Sequence, residues 1–428
     1  MGVVPRRVLL DLGPARDSPS FRSFLVAVIT SISGRQAVSV ALPFQVYLLT
    51  HSSLTVGLVS LARLPPMMLA GLYGGVLVDR YDRRRVMFVN RLLNGVCSGA
   101  LAVTALFPHP SLLPIIVLAA VGAGLGNIEM SCRLSIPPRL FPDHRLASAS
   151  SLQQAATQIA VVVGPILGGL VIGAIALSAA FLVDVLMALP ALLAISRLPP
   201  LPPLGRPPAW GLGVPLEGLG FALRSPLLRA TFLIDLVAMI FGAPTALFPA
   251  LALTVYHVGP AGLGLLYSAI GMGGMVASAL TGWVGSVQRR GLAVTLAVLV
   301  WGSAMTGFGL TAPLFIAGLG LLGLAGGADV VSAIFRTTIV QMATPDRLRG
   351  RIGSLNSLVV VSGPGLGDLE SGGVAALSSP VFSVVFGGVA CVIGALILAG
   401  AVPSLRSGRP EPALDAAEPA LGASSPTR

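Results

Sequence analysis

The sequence predicts an all-α membrane protein with twelve transmembrane helices in two pseudo-symmetric six-helix bundles and both termini in the cytoplasm. Three observations predict it. Apolar residues make up 54% of the 428-residue chain and charged residues only 10%, whereas soluble domains carry about 25% charge; the chain cannot cover an ordinary water-facing surface. Apolar runs of about twenty residues, the length that spans a bilayer, recur along it. The chain also repeats itself: Arg133, Pro142, Asp143 and Leu152 return 203 residues later as Arg336, Pro345, Asp346 and Leu355, and Gly164-Pro165 returns slightly out of step as Gly363-Pro364.

Spans are expected near 21–49, 55–78, 86–107, 112–131, 148–174, 177–196, 229–255, 261–284, 291–310, 313–334, 352–376 and 380–402. The first is too long for the core of a signal peptide and lacks a convincing cleavage site, so it is kept as a helix. The domains that follow are a cytoplasmic tail at 1–20, a first bundle at 21–197, a cytoplasmic proline-rich linker at 198–228, a second bundle at 229–403 and a disordered cytoplasmic tail at 404–428. The linker opens with Leu198-Pro-Pro-Leu-Pro-Pro-Leu-Gly-Arg-Pro-Pro208, a semi-rigid spacer, and continues with an amphipathic stretch at 215–229 expected at the inner membrane surface. Parallel repeats of this kind build transporters whose halves rock about a central site.

All 27 basic residues are arginine. Counting Arg22 and Arg229 at the span ends, twenty-four of them lie in the tails or in the loops after the even-numbered spans, and none lies in the loops after the odd-numbered spans, which places both termini in the cytoplasm. The absence of lysine, a consequence of codon bias, excludes P-loop ATP hydrolysis and Schiff-base chemistry. The arginines are scattered over short loops and suit anionic lipid headgroups rather than nucleic acid. Cys97, Cys132 and Cys391 fall in or beside spans and are widely separated, and nothing in their spacing suggests a disulfide framework or metal site. His51, His109, His144 and His257 all fall in loops, so no histidine serves an intramembrane hydrolase. No cofactor or metal is expected.

The loop after the second span reads Gly74-Gly-Val-Leu-Val-Asp79-Arg80-Tyr-Asp82-Arg83-Arg84-Arg85. It resembles motif A of the major facilitator superfamily, whose places are filled by Gly75, Leu77, Asp79, Arg80, Arg83 and Arg84, with Asp82 in place of the second glycine. Gly75 allows close helix approach, Asp79 can accept from a helix N-terminus, and the arginines would hold a cytoplasmic gate. The matching loop after the eighth span keeps Gly282 and Arg289-Arg290 but has Ser286 where Asp79 stood, so an asymmetric gate is expected. Gly164-Pro165-Ile-Leu-Gly168-Gly169 resembles the core of motif C of that superfamily's proton antiporters. Its proline kinks a helix and its glycines permit tight packing; a purely packing kink accounts for it equally well. The motif B arginine is missing, with Ile115-Ile-Val-Leu118 in its region, which leaves that motif's proton role without a carrier.

Charges inside spans cost ~2.5–3.5 kcal/mol each at the bilayer centre and mark function. Arg35 with Gln36, Arg63, Asp184, Asp329, Asp368 and Glu370 are the candidates for substrate binding or proton coupling. Asp368 and Glu370 are two apart and would not share a face of an unbroken helix. Local readings suffice elsewhere: Asp235 would snorkel or pair with Arg229, Glu129 would pair with Arg133 at i, i+4, and Arg91 would snorkel to the inner interface.

Ala41-Leu-Pro-Phe-Gln-Val-Tyr47, Thr50-His-Ser-Ser53, Val56-Gly-Leu58, Gly74–Tyr81, Pro110–Leu113, Phe248-Pro-Ala-Leu251, Gly264–Ile270 and Arg349-Gly-Arg351 extend the resemblance over most of the chain. They are similar to the enterobactin exporter branch of the superfamily. The resemblance implies proton-coupled export of a siderophore or related small metabolite, with no enzymatic step, from a monomer in the inner (plasma) membrane. A multidrug or macrolide-type efflux pump of the same fold is the alternative. It would take apolar cations and depend on acids such as Asp368 more than on Arg35.

Overall fold

The computed structural model describes residues 11–203, 220–345 and 348–403. Residues 204–219 of the proline-rich linker, the expected tail at 404–428 and the repeat residue Asp346 lie outside the described residues. Twelve long helices follow in order: α1 (Pro19–Thr50), α2 (Ser53–Arg80), α3 (Arg83–Thr104), α4 (Leu112–Ser135), α5 (Asp143–Ala174), α6 (Leu177–Ser196), α7 (Pro226–Gly242), α8 (Gly259–Ala279), α9 (Arg290–Leu310), α10 (Phe315–Ala343), α11 (Arg349–Leu377) and α12 (Pro380–Ala401). Among the described residues there is no strand. Eleven helices are long and apolar enough to cross a membrane. The exception is α11, whose 29 residues suffice in length but include Arg351, Asp368 and Glu370.

Local chemistry sets the helix starts. Ser18, Ser225 and Ser379 cap α1, α7 and α12, each followed by proline at the first helical position, where its missing N–H costs nothing. Ser52 caps α2 by accepting from the Thr55 amide at 3.3 Å. The turn between α1 and α2 needs a left-handed residue, and His51 adopts it at φ 51°. The expected seventh span is not one helix. It breaks after Gly242, passes through a short 3₁₀ turn at Thr245–Leu247, and continues as a helical turn and a π-helical turn to Val255. The expected N-terminal tail holds a short helix, Gly13–Asp17, fastened by an Asp17–Arg145 ion pair of 2.8 Å.

Packing follows the sequence repeat. In the first six helices, α1 lies on α5 and α6, α2 on α4, and α3 on α4 and α6. The last six reproduce this: α7 lies on α11 and α12, α8 on α10, and α9 on α10 and α12. The two largest contacts between the sets are α2 with α11 and α5 with α8; α1 with α8, and α1 and α2 with the broken segment after α7, add smaller ones. The periphery is apolar, with Val96, Leu113, Leu186, Ile316 and Ile397 exposed, as lipid requires. Because lipid is as apolar as leucine, helix association must come from close packing and polar contacts. Gly57 accordingly lies against the Asp368 backbone, Gly372 against Ser53, and Gly169 against Gly264.

These glycine contacts between the two sets concentrate toward the ends whose loops lack arginine. At the arginine-bearing ends, a Cβ added to Gly75, Gly282 or Gly353 would meet nothing within 4 Å.

Candidate translocation site

A cavity of about 290 Å³ lies inside the first six helices, lined by Arg35, Gln36, Arg63, Asn94, Asn127 and Arg133 among its polar residues, with Val361 contributed by α11. Arg35 sits on α1 beside the Gly34 contact with α6. Its guanidinium meets Glu129 of α4 at 2.8 Å, and that carboxylate is fully buried. The expected Glu129–Arg133 pair is thus replaced by a long-range one. Side chains four apart on a helix are neighbours only if neither is drawn to a better partner, and α1 presents one. Arg133 consequently keeps its charge at the cavity wall. Nε of Arg133 and Nε of Arg63 have no hydrogen-bond partner among the described residues. Gln36 is tied to Ser39 at 3.1 Å, and Asn127 donates to the Met67 carbonyl at 2.6 Å. The cavity wall thus presents three guanidinium groups; Glu129 is engaged by Arg35, and Asp368 of α11 lies within electrostatic reach of Arg63.

Asp184 is not on this cavity. It accepts from Arg91 at 2.7 Å and from Ser98 at 2.6 Å, and Arg91 also reaches the Asp184 carbonyl at 2.7 Å. Arg91 is fully buried, so the snorkelling expected for it does not occur: a carboxylate two helices away gives its charge a partner inside the bundle. Asp235 likewise pairs at 2.7 Å with Arg336 of α10, not with Arg229, while Asp329 stands 3.9 Å from the same guanidinium.

Helix α11 runs unbroken through Pro364, and Asp368 and Glu370 part as an ideal helix requires. Asp368 is buried and accepts from Thr245 Oγ1 at 2.6 Å and the Ala246 amide at 2.8 Å. It satisfies backbone exposed by the break after α7 and lies within electrostatic reach of Arg63. Glu370 is partly exposed, and its Oε2 has no hydrogen-bond partner among the described residues.

The gate motif is arranged differently from its expectation. Asp82, not Asp79, receives a helix N-terminus: it accepts from the Arg84 and Arg85 amides at 2.9 and 3.3 Å and from the Leu201 amide at 3.2 Å. The Arg83 amide donates back to the Leu201 carbonyl at 3.1 Å, and Arg84 donates to the Ser196 carbonyl at 2.6 Å. Asp79 makes a half-exposed 3.4 Å pair with Arg83, and Arg80 is exposed. The residue that departs from the motif makes the helix cap. In the Gly164–Gly169 segment, Gly164 and Gly168 seat α5 on α1 at Ser33 and Ala37, and Gly169 seats it on α8 at Pro260 and Gly264. Pro165 lies inside a continuous helix.

Sequence reasoning missed Arg133, Asn94 and Asn127 as cavity residues, and Glu129 as the partner of Arg35. One signal was available. Arg133 has a counterpart in the repeat, Arg336, but the fourth span was ended at 131 whereas α4 continues to Ser135, which left Arg133 in a loop.

Comparison with known proteins agrees with this architecture. Residues 24–368 match the family model of the Major Facilitator Superfamily. The chain is 31% identical over 404 residues to the enterobactin exporter EntS of Citrobacter koseri, covering 94% of this chain and 97% of that one. It is 30% identical, with the same coverage, to EntS of Escherichia coli O1:K1 / APEC. Among solved structures, the fold is shared with a D-xylose–proton symporter (TM-score 0.66, 15% identity, 91% of this chain and 99% of that one). It is also shared with the human organic anion transporter MFSD10 (TM-score 0.64, 18% identity, 89% and 100%). A repeated helical bundle with buried intramembrane charges, matched along nearly its whole length to transporters, makes this chain a member of the Major Facilitator Superfamily: a multi-pass membrane transporter of a small molecule, not an enzyme.

Proposed function

We propose that this transporter exports an anionic, siderophore-class metabolite of the enterobactin kind, by alternating access. The observation that carries the reading is the cavity wall formed by Arg35, Arg63 and Arg133. The two nearby carboxylates are already engaged, Glu129 by Arg35 and Asp368 by Thr245 and the Ala246 amide, so the three guanidinium groups suit a cargo bearing negative charge, such as a catecholate, and oppose an apolar cation. The cavity reaches Arg133 near the arginine-bearing end of α4, the side that the charge asymmetry assigns to the cytoplasm. In this reading twelve helices span the inner (plasma) membrane, with bundles at 21–197 and 229–403, the proline-rich linker at 198–228, and both termini inside. The protein acts as a monomer.

An inside-negative potential of 100 mV favours outward movement of each negative charge by ~2.3 kcal/mol, so anion export runs with the electrical gradient. Proton antiport would add to it through Glu370, whose carboxylate is partly exposed and has an unpartnered oxygen, while Asp368 holds the broken segment after α7. Asp79, Arg80, Arg83 and Arg84 with Gly75 would form the cytoplasmic gate when that end closes, and Gly164, Pro165, Gly168 and Gly169 would keep the opposite end packed.

The test is transport in inside-out vesicles with an anionic catecholate siderophore and a cationic dye offered separately. Potential-dependent accumulation of the catecholate, lost in Arg133→Gln with the protein still inserted, supports the reading. Accumulation of the dye alone would establish the efflux-pump alternative instead.

A further inference from the structure

The two halves differ most at the starts of their third helices. The motif-bearing loops align without gaps: Gly75 with Gly282, Asp79 with Ser286, Asp82 with Arg289, and Arg83 with Arg290. Asp82 is the N-cap residue of α3 and bonds to two of its first amides. Arg289 is the N-cap residue of α9, and no side chain caps that helix. An arginine thus stands where the first half supplies a carboxylate, at a helix end whose dipole itself favours an anion. Arg289 is exposed and makes no ion pair among the described residues.

Beside each loop a lateral cleft opens between three helices. In the first half, between α2, α3 and α4, it holds about 370 Å³ and includes Asp82, Arg85 and Asn90. In the second half, between α8, α9 and α10, it holds about 930 Å³, and Arg289 is the one polar residue in a lining of glycine and apolar side chains. The lining on α9 runs from Arg289 to Val300, a rise of about 16 Å at 1.5 Å per residue. One leaflet of a ~30 Å hydrocarbon core has about that depth. A groove one leaflet deep, apolar along its length and cationic only at its interfacial end, has the polarity pattern of a phospholipid.

We propose that the α8–α9–α10 cleft binds one anionic phospholipid from the leaflet on the arginine-bearing side. Its acyl chains lie along Leu296 and Val300, and its phosphate, with no cationic group in the head to offset it, sits at Arg289 and the start of α9. The lipid phosphate takes the place that the Asp82 carboxylate fills in the first half. The second half therefore depends on its bilayer for a helix cap that the first half carries in its own sequence.

The inference is independent of the cargo, and its test reads lipid binding. The protein, purified in detergent and titrated with phosphatidylglycerol or phosphatidylcholine, is examined by native mass spectrometry for lipid retained. Wild type is expected to hold one phosphatidylglycerol in preference to phosphatidylcholine. Arg289→Ala weakens that binding about five-fold, the worth of one interfacial arginine. Arg289→Asp, which restores an internal cap, removes the headgroup preference without lowering thermal stability. Ala277→Phe, which fills the cleft, excludes both lipids. Equal retention of the two lipids by wild type, or unchanged phosphatidylglycerol retention in both Arg289→Asp and Ala277→Phe, overturns the proposal.

Discussion

Between α3 and α6, Arg91 and Asp184 meet at 2.7 Å in a fully buried pair. At the corresponding place in the second half, between α9 and α12, there is no such pair: Gly302 and Gly388 bring the two backbones together instead. The first and fourth helices of each half diverge in another way. In the first half the arginine is on the first helix and the acid on the fourth, Arg35 with Glu129. In the second the acid is on the first helix and the arginine on the fourth, Asp235 with Arg336. One packing scheme has thus been kept while its charges were exchanged or dropped. The consequence is chemical. Arg336 of the second half is attended by two acids, Asp235 and Asp329, whereas the first half has three arginines at its cavity and one acid. Positive charge available to a cargo lies in the first half.

Four measurements would break or sharpen that contrast. The largest effect is expected at the buried pair. Asp184→Ala leaves Arg91 uncompensated and should cost about 3–5 kcal/mol, read as a fall in thermal midpoint in detergent. Arg91→Met with Asp184→Leu should recover most of it, and a single-variant loss below about 1 kcal/mol would falsify a stabilising role for the Arg91–Asp184 pair. Next, Arg133→Gln should weaken catecholate binding by about ten- to one-hundred-fold, the range of a lost charge-assisted hydrogen bond. Arg336→Gln should leave that affinity within about two-fold, since its charge is already taken; equal losses would erase the distinction between the halves. Third, Gly388→Val should destabilise by about 1–3 kcal/mol through overpacking against Gly302 and Thr306. The control Gly373→Val, where a Cβ meets nothing within 4 Å, should stay within about 0.5 kcal/mol in the same unfolding assay. The smallest effect belongs to Asp79→Asn. Its half-exposed pair with Arg83 is worth about 0–1 kcal/mol, so stability should hold while the transport rate changes. A variant with unaltered transport would remove Asp79 from the gate.

The helical class, the repeat and the transporter family were legible in the sequence, because each is written locally or at a fixed spacing. Run length reports the span, Ser-Pro dipeptides report helix starts, and the return of Arg133 as Arg336 reports the repeat. The cavity was only partly legible. Arg35 and Arg63 stood out as charges at depth, but Arg133 was lost to a span boundary four residues short, and Glu129 was given its nearest neighbour in sequence as partner.

Wherever a charge could be satisfied by a residue three or four positions away, the sequence offered that residue, as it did for Glu129 with Arg133. The fold kept a local pair at the half-exposed Asp79 and Arg83 but chose distant partners for the buried charges: Arg35 for Glu129, Arg91 for Asp184 and Arg336 for Asp235. A chain determines by itself how much of it must leave water and in what lengths, since burial follows from the composition of each run. Which charges then meet depends on which helix faces are pressed together, and that was decided by glycine contacts spread over the whole bundle. In a low-dielectric interior an unpaired charge is costly to leave, so tertiary packing assigned the buried pairs, and it left Nε of Arg63 and of Arg133, both on the cavity wall, without a hydrogen-bond partner among the described residues.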